Sequence, residues 1–481
     1  MMKQFEKICA IFLVLFLVIN TVSLAIIADD GWDGTETKCL NGTGDPNNPF
    51  LISTPGELAW FRTQVNTVDC FLCARLTADI DLNNHQWIPI GDVDASYAES
   101  ALESMTETVF SGVFDGYGHT ISGLNINIVA DETNYRYIGL FGGAAAQQGS
   151  EYAVIKNLTV TGSITIDTSS KNASNVGGIC GSGSYLKISN CTSNVTIVSS
   201  GGNSCSSVGG IVGSAYKTID ISNCVNVGNI DVGGDQVGGL IGYGYLKDNS
   251  ILCSCNLGNI SGNTKVGGLG GKFSGTVKDC YNTGTITAKA EDITSGGTGG
   301  LIGSNRASTN LTMNNCFTIG IVYSNFEDYT GAVYGQITDT NKKIVNFENV
   351  FYLDSACDRP CGRRAKQYYE TNANTERYKT ISMSAEEMSS DEFVTTLNTN
   401  SGSTVFKKGS THPIFVWQTE DAPVAILGDI DGNGTVNASD VSALIAKLEE
   451  DEGFILAVDD VDGNGTVNVT DVSELITRIT E

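Results

Sequence analysis

Val237-Gly-Gly-Leu-Ile-Gly242 decides the fold, because the same phrase returns along the chain at nearly even steps. Before it stand Tyr137-Ile-Gly-Leu-Phe-Gly142, Val176-Gly-Gly-Ile-Cys-Gly181 and Val208-Gly-Gly-Ile-Val-Gly213. Val266-Gly-Gly-Leu-Gly-Gly271 and Thr298-Gly-Gly-Leu-Ile-Gly303 follow, and Gly331-Ala-Val-Tyr-Gly335 is a fading copy. From Gly177 through Gly209, Gly238, Gly267 and Gly299 to Gly331 the steps are 32, 29, 29, 32 and 32 residues. A period of this size is the signature of stacked repeats.

Each repeat has a second half: Ile188-Ser-Asn-Cys191, Ile221-Ser-Asn-Cys224-Val-Asn-Val-Gly-Asn-Ile230, Leu252-Cys-Ser-Cys255-Asn-Leu-Gly-Asn-Ile260, Val277-Lys-Asp-Cys280-Tyr-Asn-Thr-Gly-Thr-Ile286 and Met313-Asn-Asn-Cys316-Phe-Thr-Ile-Gly-Ile321. These runs alternate with period two between Gly, Asn and Ser, which predicts strands and tight turns. A coil this short cannot bury its apolar side alone, so coils stack. The expected fold is mainly β, a right-handed parallel β-helix or β-solenoid advancing about 4.8 Å per coil. The paired Gly followed by Ile, Val or Leu, and then Asn-Cys-x-Asn-x-Gly, resembles the GLUG-motif repeats of bacterial surface and secreted proteins. The resemblance covers roughly residues 137–335 and speaks to architecture more than to activity.

Composition narrows the function. A net charge of −26 argues against nucleic acid, which needs clustered Lys and Arg. Lys3 and Lys7 before the apolar run from Ile8 to Ile19 read as a secretory signal over residues 1–28, with small residues at Ser23 and Ala25 and a second possible cleavage site at Ala28. The apolar run is too short to span a bilayer. Of fourteen cysteines, Cys9 would leave with the signal, so thirteen remain. Cys191, Cys224, Cys255, Cys280 and Cys316 are expected to stack as an internal ladder of small apolar side chains rather than bind metal. Cys39, Cys70 and Cys73 are expected to give one bridge and a spare thiol, and Cys357 with Cys361 to close a small loop.

Residues 29–135 read as an N-terminal cap with the first coils, 136–349 as the repeat solenoid and 350–420 as a C-terminal cap. In the first, Thr54 is a candidate N-cap of a helix with Pro55 at its first position and Glu57 at its third, placed to cover the open end of the stack. Leu76–Leu82 and Gln86–Gly91 read as strands. Asp115 and His119 could be a catalytic pair, but a tight turn at Asp115-Gly116 is the plainer reading. Trp60, Trp87 and Tyr117 could form a sugar platform, although core packing suits the tryptophans better. In the C-terminal cap, Ser382–Leu397 reads as one or two short helices and Pro413–Trp417 as a closing strand.

After a linker at 421–426, Asp429-Ile-Asp-Gly-Asn-Gly-Thr-Val-Asn-Ala-Ser-Asp440 recurs 31 residues later as Asp460-Val-Asp-Gly-Asn-Gly-Thr-Val-Asn-Val-Thr-Asp471. Oxygen ligands stand at loop positions 1, 3, 5, 9 and 12, Gly at 6 and a carbonyl donor at 7, as a calcium loop requires. The candidate ligands are Asp429, Asp431, Asn433, Thr435, Asn437 and Asp440, then Asp460, Asp462, Asn464, Thr466, Asn468 and Asp471. Position 12 is Asp rather than the Glu of an EF-hand, and a helix follows each loop but none fits before the first. A duplicated loop–helix of this kind resembles the type I dockerin, an all-α calcium-binding domain, over residues 427–481. The resemblance implies two Ca²⁺ ions, folding that depends on them, and a cohesin module on a scaffoldin or cell surface as partner. It places cohesin contacts at Ala438, Ser439, Ile445 and Ala446 in one half and at Val469, Thr470, Ile476 and Thr477 in the other. The near-symmetry suggests two docking orientations.

The expectation is therefore an extracellular, cellulosome-type component. Its solenoid would bind polysaccharide or a cell surface through the variable segments between repeats, such as Tyr243–Ser250 or Ala288–Ser295. A glycoside hydrolase or polysaccharide lyase on the β-helix, or a surface adhesin, are the alternatives. No catalytic residue can be nominated; Asp220, Asp231, Asp235, Asp248 and Asp279 of the repeats read as turn or surface residues.

Overall fold

A computed structural model describes residues 31–92, 109–128, 137–146, 152–167, 175–200, 205–246, 248–290, 296–305, 309–336, 345–362, 378–418, 430, 438–450, 461 and 467–480. The signal reading at 1–28 and the linker lie outside them. The chain winds as a β-solenoid in which every coil-to-coil pairing is parallel. The first half of each repeat supplies two short strands. Seven of each stack into two seven-stranded sheets, and the second halves stack into a third, larger sheet.

The register of the glycine phrase is the one read from sequence. Val176, Val208, Val237, Val266, Thr298 and Thr330 lie on one another, as do Gly177, Gly209, Gly238, Gly267, Gly299 and Gly331. A β-carbon built at Gly209 would fall 2.1 Å from the Val212 carbonyl oxygen and 2.8 Å from the amide nitrogen of Gly242 in the next coil. Glycine is thus required for the close approach of backbones, not for an unusual φ. Period-two alternation buries one side of the large sheet. Ile155, Ile188, Ile221, Ile251, Val277, Met313 and Phe347 stack through seven coils, and all are fully buried.

The Ser-Asn-Cys motif is a corner. Asn157, Asn190, Asn223 and Asn315 adopt φ near +53°, the left-handed region that Asn tolerates. Their amides also bond from coil to coil: Asn190 Nδ2 donates to Asn157 Oδ1 at 2.9 Å and Asn223 Nδ2 to Asn190 Oδ1 at 3.1 Å. The cysteine after the corner faces inward, but the ladder differs from expectation in one coil. Val225 pairs with Cys255, so Ser254 rather than Cys255 lies between Cys224 and Cys280. Cys253 takes the corner, at φ +46°. The inward row is Leu158, Cys191, Cys224, Ser254, Cys280, Cys316, Val350. A shift of one residue turns a strand side chain to the other face, so Cys255 faces outward. Two residues on, a second ladder runs inside: Asn226 Nδ2 donates to Asn256 Oδ1 at 2.8 Å and Asn256 Nδ2 to Asn282 Oδ1 at 2.7 Å. Each amide also donates to the Gly carbonyl two residues ahead, so the Asn-x-Gly turn is satisfied internally.

The helix Pro55–Thr67 starts as read, with Thr54 Oγ1 accepting the Glu57 N–H and Glu57 reaching back to the Ser53 N–H at 2.8 Å. It buries Leu58, Ala59, Phe61 and Val65 on the solenoid core. The expected strand Leu76–Leu82 is instead two short ones, Ala74–Leu76 and Ile80–Asp81. Gln86–Gly91 touches the sheets only through bridges at Gln86 and Ile90, because Pro89 has no N–H to give a ladder.

The C-terminal cap does more than close the end. Tyr378–Met383 adds a last parallel strand. The helices Ala385–Met388 and Asp391–Ser401, begun by Ser384 and Ser390 caps, then fold back along the flank with an antiparallel hairpin, Phe406–Lys408 and Pro413–Phe415. So the expected closing strand pairs within the cap rather than with a coil. Beneath it lies a second core on the outer side of the large sheet: Val225, Cys255, Tyr281, Phe317 and Phe351 from successive coils, with Phe393, Leu397, Phe406 and Phe415 above them. Tyr281 Oη donates to Gln418 Oε1 at 2.6 Å, and Ser401 Oγ to Asp279 Oδ2 at 3.0 Å.

The thirteen cysteines from Cys39 to Cys361 are all free thiols. The bridges expected among Cys39, Cys70 and Cys73 and between Cys357 and Cys361 are not formed. The first three are instead buried singly; Cys39 donates to the Leu51 carbonyl and Cys73 accepts the Val113 N–H. Burial pushes the Cys180 and Cys255 thiols up to about 12. It also raises Cys191 and Cys280, helped by the neighbouring Cys224 and Cys316. A thiol reagent at pH 8 should therefore leave Cys180, Cys191, Cys255 and Cys280 unreacted in the folded protein, and all thirteen should titrate on unfolding without reductant; a deficit of two per bridge would restore the disulfide reading. Phe317→Ala should cost about 3–5 kcal/mol of stability in thermal unfolding, far more than Tyr117→Ala at an exposed turn.

Candidate functional site

Among the described residues the C-terminal module has two helices, Ala438–Glu450 and Val469–Thr480, each longer at its start than the sequence pattern suggests. They pack through Leu444 and Leu475, with Ile430 and Val461 from the loops. Each pair is related by the same 31-residue offset as the loops, so the core repeats the duplication.

Position 12 of each loop, Asp440 and Asp471, is the third residue of its helix, and both carboxylates are fully buried. In the second half the helix start is a reciprocal cap. Asn468 Oδ1 accepts the Thr470 N–H at 2.9 Å, and Asp471 Oδ2 accepts the Asn468 N–H at 2.8 Å. Two buried carboxylates in so small a module are costly unless a cation or donors compensate them. An all-oxygen donor set suits a hard ion such as Ca²⁺. The buried carboxylates of Asp440 and Asp471 are of the oxygen-donor type that fits calcium. Asp429, Asp431, Asn433, Thr435, Asn437, Asp460, Asp462, Asn464 and Thr466 lie outside the described residues.

The residues read as cohesin contacts fall on exposed faces where they can be described. Ile445 and Ile476 are 42% and 46% exposed and Val469 is 71% exposed. Ala446, Thr470 and Thr477 are exposed as well. Ala438 and Ser439 lie in the first turn of their helix, and their side chains are outside the description.

The solenoid does not assemble the sites considered from sequence. Asp115 and His119 are not partners. Asp115 accepts from the Tyr117 N–H and from Asn157 Nδ2, both at 2.9 Å, and lies 3.3 Å from Lys156 Nζ. Burial alone would raise its carboxyl, yet these contacts hold it below its ordinary value. His119 Nδ1 instead meets Asp79 Oδ1 at 3.1 Å. Trp87 is fully buried, Trp60 packs on Phe50, and Tyr117 stands apart beneath the Arg75 guanidinium, so the three make no platform.

Comparison with known proteins assigns the C-terminal module. Residues 427–480 match the dockerin type I domain family. This segment is a type I dockerin domain. The chain is 29% identical to halomucin of Haloquadratum walsbyi across 53% of its length. It is 31% identical to a protein of Evansella cellulosilytica described as a Gly-rich membrane protein, across 34%. It spans only 3% and 17% of those relatives' own lengths. Among solved structures it is similar to one described as an immunoglobulin A1 protease from Bacteroides ovatus (18% identity, 79% of this chain and 95% of that one, TM-score 0.43). An IgA1 protease is a second (17% identity, 69% and 21%, TM-score 0.37). Likeness at that level carries nothing about chemistry.

If the buried carboxylates serve calcium, Asp440→Asn with Asp471→Asn should weaken calcium binding to the full chain by about 10–100-fold or more. Calorimetric titration giving an unchanged affinity would reject the assignment.

Proposed function

We propose that this protein is an extracellular component of a cellulosome-like assembly. Its dockerin, loaded with two Ca²⁺ ions, docks on a cohesin of a scaffoldin or cell-surface protein, and its solenoid binds polysaccharide or a cell surface. The dockerin match carries the first part, since a dockerin implies a cohesin partner. The domain limits are those given above: a secretory signal to residue 28, the solenoid with its caps to 420 and the docking module from 427.

The solenoid acts as a binding rod rather than a catalyst. This rests on how the repeat carboxylates are engaged. Asp220 accepts from Ser250 Oγ, Asp231 pairs with Lys289, Asp235 accepts from Thr264 Oγ1, and Asp279 is shared by Asn315 and Ser401. Each ties one coil to another or to the cap, whereas glycoside hydrolysis calls for two carboxyl groups facing one bond.

Cohesin contacts are assigned to Ala438, Ser439, Ile445 and Ala446 and to their counterparts Val469, Thr470, Ile476 and Thr477. On a panel of immobilised cohesins, the full chain should bind at least one with calcium and none after chelation. Ile445→Asp or Ile476→Asp alone should leave binding nearly intact, because the other half can dock. The double variant should lose about 30-fold or more. Loss of all binding from one single substitution would contradict the two-orientation reading.

A further inference from the structure

We propose that a groove beside Tyr152, on the flank of the first coils, holds a segment of a neutral polysaccharide chain. This rests on the reading of the solenoid as a polysaccharide-binding rod and gives that reading a site. The groove encloses about 450 Å³ and is built from segments far apart in sequence. Thr43 and Asp45 come from the entry turn, Asp69 and Phe71 from the segment after the N-terminal helix, Ser111 from the first coil and Tyr152 from the next.

Its chemistry is that of a sugar site. Phe71 is 50% exposed although fully aromatic, and Tyr152 is half-buried at the same wall. Phe71 offers an apolar face to the C–H surface of a pyranose, and Tyr152, with Lys187 Nζ 4.2 Å over its ring, borders the same groove. Hydrogen-bonding groups stand between them. Thr43 Oγ1 donates to Asp45 Oδ2 at 2.5 Å, and the Phe71 N–H donates to Asp69 Oδ1 at 2.9 Å. The second oxygen of each carboxylate takes no partner among the described residues, so each can accept from a sugar hydroxyl.

Charge selects the class. Two carboxylates in the groove outnumber the one ammonium beside it, Lys187 over Tyr152, and on a chain of net charge −26 they disfavour a uronate-bearing polymer and tolerate a neutral one. A pair of aspartates is too small a set for a metal site; among the described residues no group of three or more His, Cys, Asp or Glu could hold one. The groove also opens onto a ridge. Tyr152 meets Tyr185 of the next coil edge-on at 6.3 Å, and Tyr216 stacks on Tyr245 at 5.5 Å further along. Tyr185 stands one coil beyond Tyr152 in the parallel register, so a chain leaving the groove runs across successive coils.

The test uses the full chain with calcium. Affinity electrophoresis and calorimetry against cellulose oligomers, xylan, mannan and polygalacturonate are run for the native protein and for Phe71→Ala, Tyr152→Ala and, as a control, Tyr117→Ala, with circular dichroism to confirm folding. The expected result is binding to a neutral polymer, weakened about tenfold or more by Phe71→Ala and Tyr152→Ala and unchanged by Tyr117→Ala. Binding that survives both groove substitutions would overturn the site while leaving the polysaccharide reading intact. Binding only to polygalacturonate would overturn the neutral class. No binding to any polymer by the native protein would overturn the polysaccharide reading itself and the groove with it.

Discussion

The structure depends on the backbone of one coil lying where the β-carbon of the next would be. At Gly178, Gly210, Gly239 and Gly268 an added Cβ would fall within 2.1–2.4 Å of the carbonyl oxygen of the equivalent glycine one coil on, so these positions admit nothing larger than hydrogen. That contact fixes the register, and the register decides the rest. Once the glycines stack, the isoleucines four coils deep must stack too, the corner asparagines meet amide to amide, and the buried Asn-x-Gly turns satisfy one another. A solenoid built this way gains its stability from neighbour contacts that repeat, so the same few residue types suffice in coil after coil.

Most of this was legible in the sequence because repetition makes the pairing visible. The glycine phrase supplied both the period and the correct alignment of every copy from Val176 to Thr330. The failure at Leu252-Cys-Ser-Cys255 has a physical cause. Two cysteines two residues apart fit the motif, and only the length of the turn that follows tells them apart. Cys255 is five residues before Ile260, whereas Cys224 and Cys280 are six before Ile230 and Ile286, so Ser254 faces inward. The flank-covering cap was hidden for another reason. Its anchor points, Tyr281, Phe317 and Phe351, are outward positions that read as solvent-facing until a separate segment is known to lie on them. The disulfides expected from a secreted chain gave way to packing, since the sulfurs fill inward sites one at a time.

The two functional regions differ in how they can be read. In the docking module the candidate ligands are local in sequence, so their spacing points to an ion before any fold is known, and the structure adds the burial of Asp440 and Asp471 and the exposure of Ile445 and Ile476. The groove is the reverse. Thr43, Phe71 and Tyr152 share no motif and meet only because the entry turn, the post-helix segment and the second coil converge on one flank. Repeats build the rod, and departures from the repeat supply its candidate binding surface.

The central claim is that a calcium-independent rod carries a calcium-dependent dock. Hydrogen exchange of the full chain, measured with calcium and after chelation, tests it most directly. The account predicts that amides from 177 to 336 stay equally protected in both conditions, because their hydrogen bonds run between coils, while those from 438 to 480 lose protection on chelation. Deprotection of the solenoid together with the dock, or a dock that stays protected without calcium, would contradict it.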